Sequence, residues 1–439
     1  MKASLREIAA ALADAFMNGT WHVRSLMARG DAALGTGGDW LRELAFAVIQ
    51  HWREAPPEQA QLLTDFIATH ESFTGAWKAR ELPRRLRRYA LVHPTMGAQR
   101  WEVPQLHTVG DVARWLGLSS GELVWMSDRK GLERVATSEA LRHYRRTWID
   151  RGDRLPRLLE APKERLKQAQ RKILDEVLAR IPSHDAAHGF VPSRAVITHA
   201  KLHAGQALVV RFDLEAFFTN VSTWRALHVF RAAGYPTQVA SILLGLCTTR
   251  TPERVLREAP WVEELSSERF FLQRRLAEWH LPQGAPTSPA LANLAAFALD
   301  VRLSALARAR GLNYSRYADD LVFSGPKISM GTLLQQVSSI ARAEKFRLNV
   351  GKTRVMFAHE QQRVTGVVVN QKPNISREDF DSLKALLHRC AQRGPLSQST
   401  GPLTEFRATL QGKISWVAQL SPARGAKLQQ KFDALDWSE

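Results

Sequence analysis

Two aspartates, Asp319 and Asp320, stand side by side in YSRYADDLVFSG, the stretch from Tyr314 to Gly325. Apolar residues flank the pair on both sides, so the stretch reads as strand, tight turn, strand. Adjacent carboxylates repel, and each resists ionising beside the other. The pair is either a polar hairpin tip, where Asp is common, or a site whose crowding a cation makes tolerable. A third acid bears on the choice. Asp213 follows the apolar run Ala207 to Phe212 in QALVVRFDLEAFF. Strands of one sheet can bring the three carboxylates together although the chain separates them widely. Hard oxygen ligands with open positions suit Mg²⁺. Two such ions, ~3.5–4 Å apart, can clamp the attacking and leaving oxygens of a phosphoryl transfer.

The charge of the chain points the same way. Its 439 residues carry 61 Lys and Arg against 43 Asp and Glu, a formal net charge of +18. A polyanion is the expected partner, with nucleic acid first. Cys247 and Cys390 are the only cysteines, which excludes a disulfide framework and a Cys-rich zinc site. A reducing cytoplasm is the simple expectation. No uninterrupted apolar run approaches the ~20 residues of a membrane span, so no membrane partner is expected.

Residues 1 to about 105 read as helical and rich in tryptophan. In WLRELAFAVIQHW, Leu41, Leu44, Val48 and Trp52 recur at helical spacing and predict a core stripe. Residues 77–90 are a basic cluster with Trp77 and Tyr89, either a solvated helix face or an RNA-contacting patch. Residues 107–126 read as two short helices, with Gly117 and Ser119-Ser120 between them. In 161–181 a helix is expected to open at Pro162. Residues 288–310 are expected to form one long, mostly buried helix with no charge before Asp300. Beyond Asn349, GKTRVMFAH and RVTGVVVN are strand-like, and from about Ser376 the chain reads as helical and basic in patches.

Read in order, these segments resemble the motifs of reverse transcriptases. RFDLEAFF resembles the motif that supplies the first metal-binding acid, LPQGAPTSPALAN the second motif, YADD the catalytic hairpin and LNVGKTRVM the motif after it. RVTGVVVN lies where a primer-grip strand is expected, and RLPRLLEAPKERLKQAQRKIL looks like the fingers segment. The likeness covers about residues 107 to 370 and is nearest to bacterial retron enzymes. Those carry an Asn-Ala-x-x-His segment before the first acid and a Val-Thr-Gly triplet late in the chain. Here HAKLH keeps Ala200 and His203 but has His199 in place of the Asn, while Val364, Thr365 and Gly366 match the triplet.

The resemblance implies an α+β right-hand polymerase with a mainly helical N-terminal extension. The expected parts are residues 1–105 as the extension, 106–205 as fingers, 206–370 as palm and 371–439 as a short helical thumb that binds RNA. Asp213, Asp319 and Asp320 would be catalytic and hold two Mg²⁺ ions. Phe218 matches the aromatic residue that closes against a ribose 2′-OH. Phe217 and Phe218 are adjacent, so one is expected to pack inward while the other faces the site. Gln283 and Gly284 match the turn against the incoming nucleotide. Arg157, with Lys163 or Arg165 as alternatives, is placed to hold the triphosphate, for which bidentate Arg–phosphate pairing is the physical warrant. Lys352 falls near the leaving pyrophosphate or is a solvated loop lysine. His203 either meets the RNA or braces its own loop.

The implied partners are dNTPs, a structured noncoding RNA of the msr–msd type and its DNA product, and a separate effector protein. Retron enzymes prime from a 2′-OH of an internal guanosine in their own RNA and make branched RNA–DNA, called msDNA, within antiphage defence. A phage-exclusion or group II-like reverse transcriptase without msDNA is the alternative within the superfamily. A non-catalytic RNA-binding scaffold is the alternative outside it, although a scaffold has no need to crowd carboxylates beside RNA.

Overall fold

The structure is a computed structural model. It describes residues 3–17, 21–52, 60–83, 95–152, 154–260 and 265–437, so the second half of the basic segment 77–90, residues 84–90, lies outside the described residues. The chain divides into two compact units. One comprises Met1–Pro182 and Phe218–Ala295, the other Ser183–Phe217 and Ala296–Glu439.

The first unit begins with the helices Leu5–Met17, Val23–Leu34, Asp39–His51, Ala60–Thr69 and Glu71–Lys78. They close one apolar cluster from Ile8, Leu12, Phe16, Leu41, Leu44, Val48, Leu63 and Phe73. The stripe expected in WLRELAFAVIQHW therefore turns inward. Helices Val109–Leu116 and Ser120–Ser127 follow as expected, each opened by a capping box, from Thr108 to Asp111 and from Ser119 to Glu122.

Next comes an antiparallel hairpin of β1 (Tyr144–Arg151) and β2 (Arg154–Pro162). Pro162 ends β2, and the helix expected to open there begins at Glu164 and runs to Glu176. The reason is local: strand pairing of Tyr144 with Pro162 extends the hairpin to its last residue, and proline is tolerated at such an edge. Residues 288–310 also differ from expectation. They form two helices, Ser288–Ala295 and Phe297–Ala309, interrupted at Ala296, where one unit gives way to the other.

The second unit is built on a four-stranded antiparallel sheet of β3 (Leu208–Asp213), β4 (Asn313–Tyr317), β5 (Asp320–Gly325) and β6 (Arg354–Phe357), in the order β4-β5-β3-β6. Alternation sends Val210, Phe212, Leu321 and Phe323 to one face, all almost fully buried. There Phe212 and Phe323 meet edge-on at 5.9 Å. The opposite face carries Val209 and Val322 into a second apolar cluster. That cluster is closed by Val364, Val367 and Val369, with Met356 and Trp416 at its margin. Val364 and Val367 belong to a small hairpin, β7 (Arg363–Val364) and β8 (Val367–Val368). Thr365 and Gly366 are its two-residue turn, at φ 47° and 84°. Positive φ at both positions is what a tight hairpin of this kind requires, so the triplet is a turn and Gly366 is not a bulge. Helices Arg377–Arg393, Leu403–Leu420 and Pro422–Asp433 end the chain around their own core of Leu387, Leu410, Ile414, Val417 and Leu428. Among the described residues no single helix is long and apolar enough to cross a membrane.

Candidate active site

The second unit brings the three sequence-selected acids to neighbouring strand ends. Asp213 is the last residue of β3, and its direct partner across the sheet is Asp320, the first residue of β5. Asp319 occupies the turn between β4 and β5, and its carbonyl accepts a hydrogen bond from Leu214 N at 2.8 Å. Burial pushes the Asp320 carboxyl up to about 6. Asp319 and Asp213 add to that, while Arg211 and Lys352 pull the other way. Lys352 donates from Nζ to both oxygens of Asp213, at 3.0 and 3.1 Å.

Among the described residues, no three carboxylate, imidazole or thiolate groups converge as a ready-made metal cage. The donor set nevertheless fits a hard divalent cation. It is all carboxylate, it is under mutual repulsion, and an ammonium group already sits on one member as a monovalent stand-in.

The turn that carries Asp319 is held by a group that local patterning did not single out. Arg316 is fully buried and donates through Nε and Nη2 to the two oxygens of Asp300, at 2.9 and 2.6 Å. Its Nη1 donates to the carbonyl of Ala318 at 3.1 Å. Tyr314 Oη adds a 2.8 Å bond to Asp300 Oδ1. Ala318 has φ 55°, a conformation alanine rarely adopts, so the turn is held in place by its surroundings. Gly189 presses against it, and a Cβ there would come within 2.8 Å of Ala318 N. The available signal was a charge inside an apolar pattern, present at both Arg316 and Asp300.

The two segments that mark the likeness to retron enzymes are in contact. His199 Nδ1 lies 2.8 Å from Thr365 Oγ1. His203 is fully buried, and its Nδ1 and Nε2 lie 2.7 and 2.6 Å from the hydroxyls of Ser324 and Ser315, so it ties β5 to β4. A hydroxyl can accept from one ring nitrogen and donate to the other, which suits a neutral imidazole. Burial pulls His203 down to about 3 and His199 down to about 2. Gly366 lines a groove of about 560 Å³ with Lys413 and Trp416 of the C-terminal helices.

The remaining selected residues lie in the first unit. Arg157 is exposed on β2, opposite Ile149. Gln283 and Gly284 form a loop seated on the same strand, with Glu160 N donating to the Gln283 carbonyl at 2.8 Å. Gly284 has φ 133°, and a Cβ there would meet Glu160 O at 2.9 Å, so this close approach needs glycine. Burial alone would push the Glu160 carboxyl up. His280, 2.7 Å away, and Arg146, 3.0 Å away, overcome that and hold it down at about 2. Arg146 also pairs with Glu133, so the loop rests on a buried ionic network that motif reading missed. Phe217 is buried in the second unit beside Phe346, at 5.9 Å, while Phe218 is half-buried in the first.

Comparison with known proteins decides the family. The model described as "Reverse transcriptase (RNA-dependent DNA polymerase)" matches residues 152–369. The Retron Mx65 reverse transcriptase of Myxococcus xanthus is 36% identical over 343 residues, covering 76% of this chain and 73% of that one. The chain belongs to the retron-type reverse transcriptases. A second Myxococcus xanthus enzyme, Retron Mx162 reverse transcriptase, is 33% identical over 84% of this chain and 75% of its own length. The Retron Ec86 reverse transcriptase of Escherichia coli is 29% identical over 61% of this chain and 78% of its own. This retron-type chain is an RNA-directed DNA polymerase with the α+β right-hand fold.

Proposed function

We propose that this enzyme copies part of its own structured noncoding RNA into DNA. It would prime from a 2′-OH of an internal guanosine in that RNA and yield branched msDNA, within antiphage defence and beside a separate effector protein. The observation that carries the reading is the 2.8 Å bond from His199 to Thr365, because it joins the HAKLH and VTG segments within the unit that bears the three acids. Identity to named retron enzymes over most of the chain supports it.

Residues 106–205 serve as fingers, 206–370 as palm and 371–439 as an RNA-binding thumb, behind the extension 1–105. Asp213, Asp319 and Asp320 are the catalytic acids and would hold two Mg²⁺ ions. When bound, that pair supplies a lowered pKa at the priming hydroxyl and neutralises charge on the phosphates. The chain contributes the geometry. Strand pairing fixes Asp213 against Asp320, and the Arg316 guanidinium fixes the turn that carries Asp319. Lys352 keeps a positive charge at Asp213, where it can meet the phosphates of the nucleotide. Arg157 offers an exposed guanidinium to the triphosphate. Gln283 and Gly284 line the nucleotide, and Phe218 rejects the 2′-OH of a ribonucleotide. Thr365, Gly366 and the groove beside Trp416 face the RNA, while Val364, expected there too, is buried in the apolar cluster under the hairpin and, like His203, braces the strands beneath. The two buried, free thiols fit a reducing cytoplasm.

The test is direct. Nucleic acid from cells carrying the locus, treated with RNase, is expected to contain a discrete small single-stranded DNA, and a structured RNA is expected just upstream of the gene. Enzyme that extends ordinary primed templates while the cells lack such a DNA would refute the msDNA reading and favour a phage-exclusion enzyme.

A further inference from the structure

The sheet face that bears Asp213 and Asp320 also bears two arginines. Arg211 lies two residues before Asp213 on β3, on the same face and about 6.7 Å away along the strand. Its direct partner on β6 is Arg354. Directly opposed residues of an antiparallel pair point to the same side, and like charges placed so destabilise the sheet. Among the described residues, little offsets this pair. Arg354 is exposed, and its hydrogen bonds run to the carbonyls of Gly351 and Thr353. Arg211 Nε makes no hydrogen bond and stands 3.7 Å from Asp320 Oδ1, beyond the range of a good one. Val322 is the direct partner of Arg211 on β5, and one row farther along the same face come Val209 and its partner Met356, covered by the β7–β8 hairpin. The arginines thus occupy the step between the carboxylates and an apolar wall.

We propose that Arg211 and Arg354 form a subsite for a backbone phosphate of the primer strand, beside its terminal nucleotide. The inference rests on the polymerase reading above, which puts the reacting hydroxyl at Asp213 and Asp320. Two neighbouring guanidiniums match a phosphodiester, whose oxygens accept the planar fork. Arg211 Nε is buried, so its terminal nitrogens would donate, from a side chain about one-third exposed. Lys352 already serves the carboxylate end of β3, and Arg211 lies on the opposite side of Asp213 along that strand, one step back from the chemistry. The shared chemistry is phosphate, and the incoming triphosphate is the competing source.

Arg354→Gln is the informative variant, because Arg354 is exposed and makes no contact with Asp320. With full-length protein, primer–template affinity is measured across a salt series, using primers that carry a neutral methylphosphonate at the linkage nearest the 3′ end. The expected result is a several-fold weaker affinity for Arg354→Gln, a salt slope reduced by about one, and an unchanged KM for dNTP. The methylphosphonate should cost the wild type a similar factor and cost Arg354→Gln little more. Arg211→Lys, which keeps the charge and loses the fork, should keep the salt slope and lose part of the affinity. A raised dNTP KM with unchanged primer affinity would overturn the proposal in favour of the triphosphate. A wild type that extends both primers equally well would overturn it and leave the polymerase reading intact. A wild type that binds primers and never extends them would remove that reading and this inference with it.

Discussion

The buried pair of Arg316 and Asp300 makes the sharpest prediction about how the turn that carries Asp319 is held. Asp300→Asn removes the negative charge and keeps the shape. Arg316 is left as a buried guanidinium whose partner offers one accepting oxygen, with the new amide facing either Nη2 or Nε as donor against donor. Removing one member of a buried pair costs about 3–5 kcal/mol. A domain of this size shifts by about 2–4 °C per kcal/mol, so its melting transition should fall by roughly 6–20 °C. Calorimetry that resolves the two units separately is the assay, since a two-unit chain need not melt in one step. Primer extension below the new transition adds the functional readout. The double variant Arg316→Met, Asp300→Leu removes both charges and should melt above either single variant, because replacing a buried pair by apolar groups is often neutral. It should remain slow, because the Ala318 carbonyl has still lost its donor. If Asp300→Asn melted within about 2 °C of the wild type, or the double variant regained full kcat, the account of the turn would be wrong.

Three further outcomes follow from other parts of the molecule. His199 and His203 are held neutral in the fold, whereas the unfolded chain takes up their protons near 6.5. Their contribution is therefore intact above about pH 7 and is lost as pH falls from there toward the folded values, by up to about 1.4 kcal/mol per unit per histidine. Urea midpoints at pH 7 and pH 5 measure this, and His203→Gln should flatten the dependence. Gly284→Ala must move the Glu160 carbonyl or the loop, a strain of roughly 1–3 kcal/mol. The kcat/KM for dNTP should drop about tenfold, and wild-type kinetics would contradict the reading of that loop. Phe218→Ala should raise rNTP use relative to dNTP by about tenfold or more, and unchanged discrimination would mean that Phe218 does not meet the ribose.

The β4–β5 hairpin with the two aspartates at its turn was legible because its signal is local. A period-two apolar pattern surrounds a polar pair, and the turn residues sit where the pattern breaks. The carboxylate of Asp213 could be joined to it because strand ends are also local features. The pairing of Arg316 with Asp300 was not legible. It depends on which turn of the helix Phe297–Ala309 lies over which residue of β4, and no local pattern encodes that. The break at Ala296 was hidden for a related reason: the segment is rich in alanine and leucine, with no glycine at the interruption to mark it. Pro162 was placed at a helix start because proline suits that position, yet it suits a strand end equally, and pairing with Tyr144 decided between them. Thr365 shows the limit of propensity, since a β-branched residue at φ 47° is disfavoured and is held there by the hairpin and by His199.

The most direct test of the account is extension of a primed RNA template by purified protein with dNTPs and Mg²⁺, comparing the wild type with Asp213→Asn and Asp320→Asn. The account predicts DNA synthesis by the wild type, its loss on chelation of the metal, and its abolition in both variants while each keeps the wild-type melting profile and still binds the template. Synthesis that persists in either variant would contradict it.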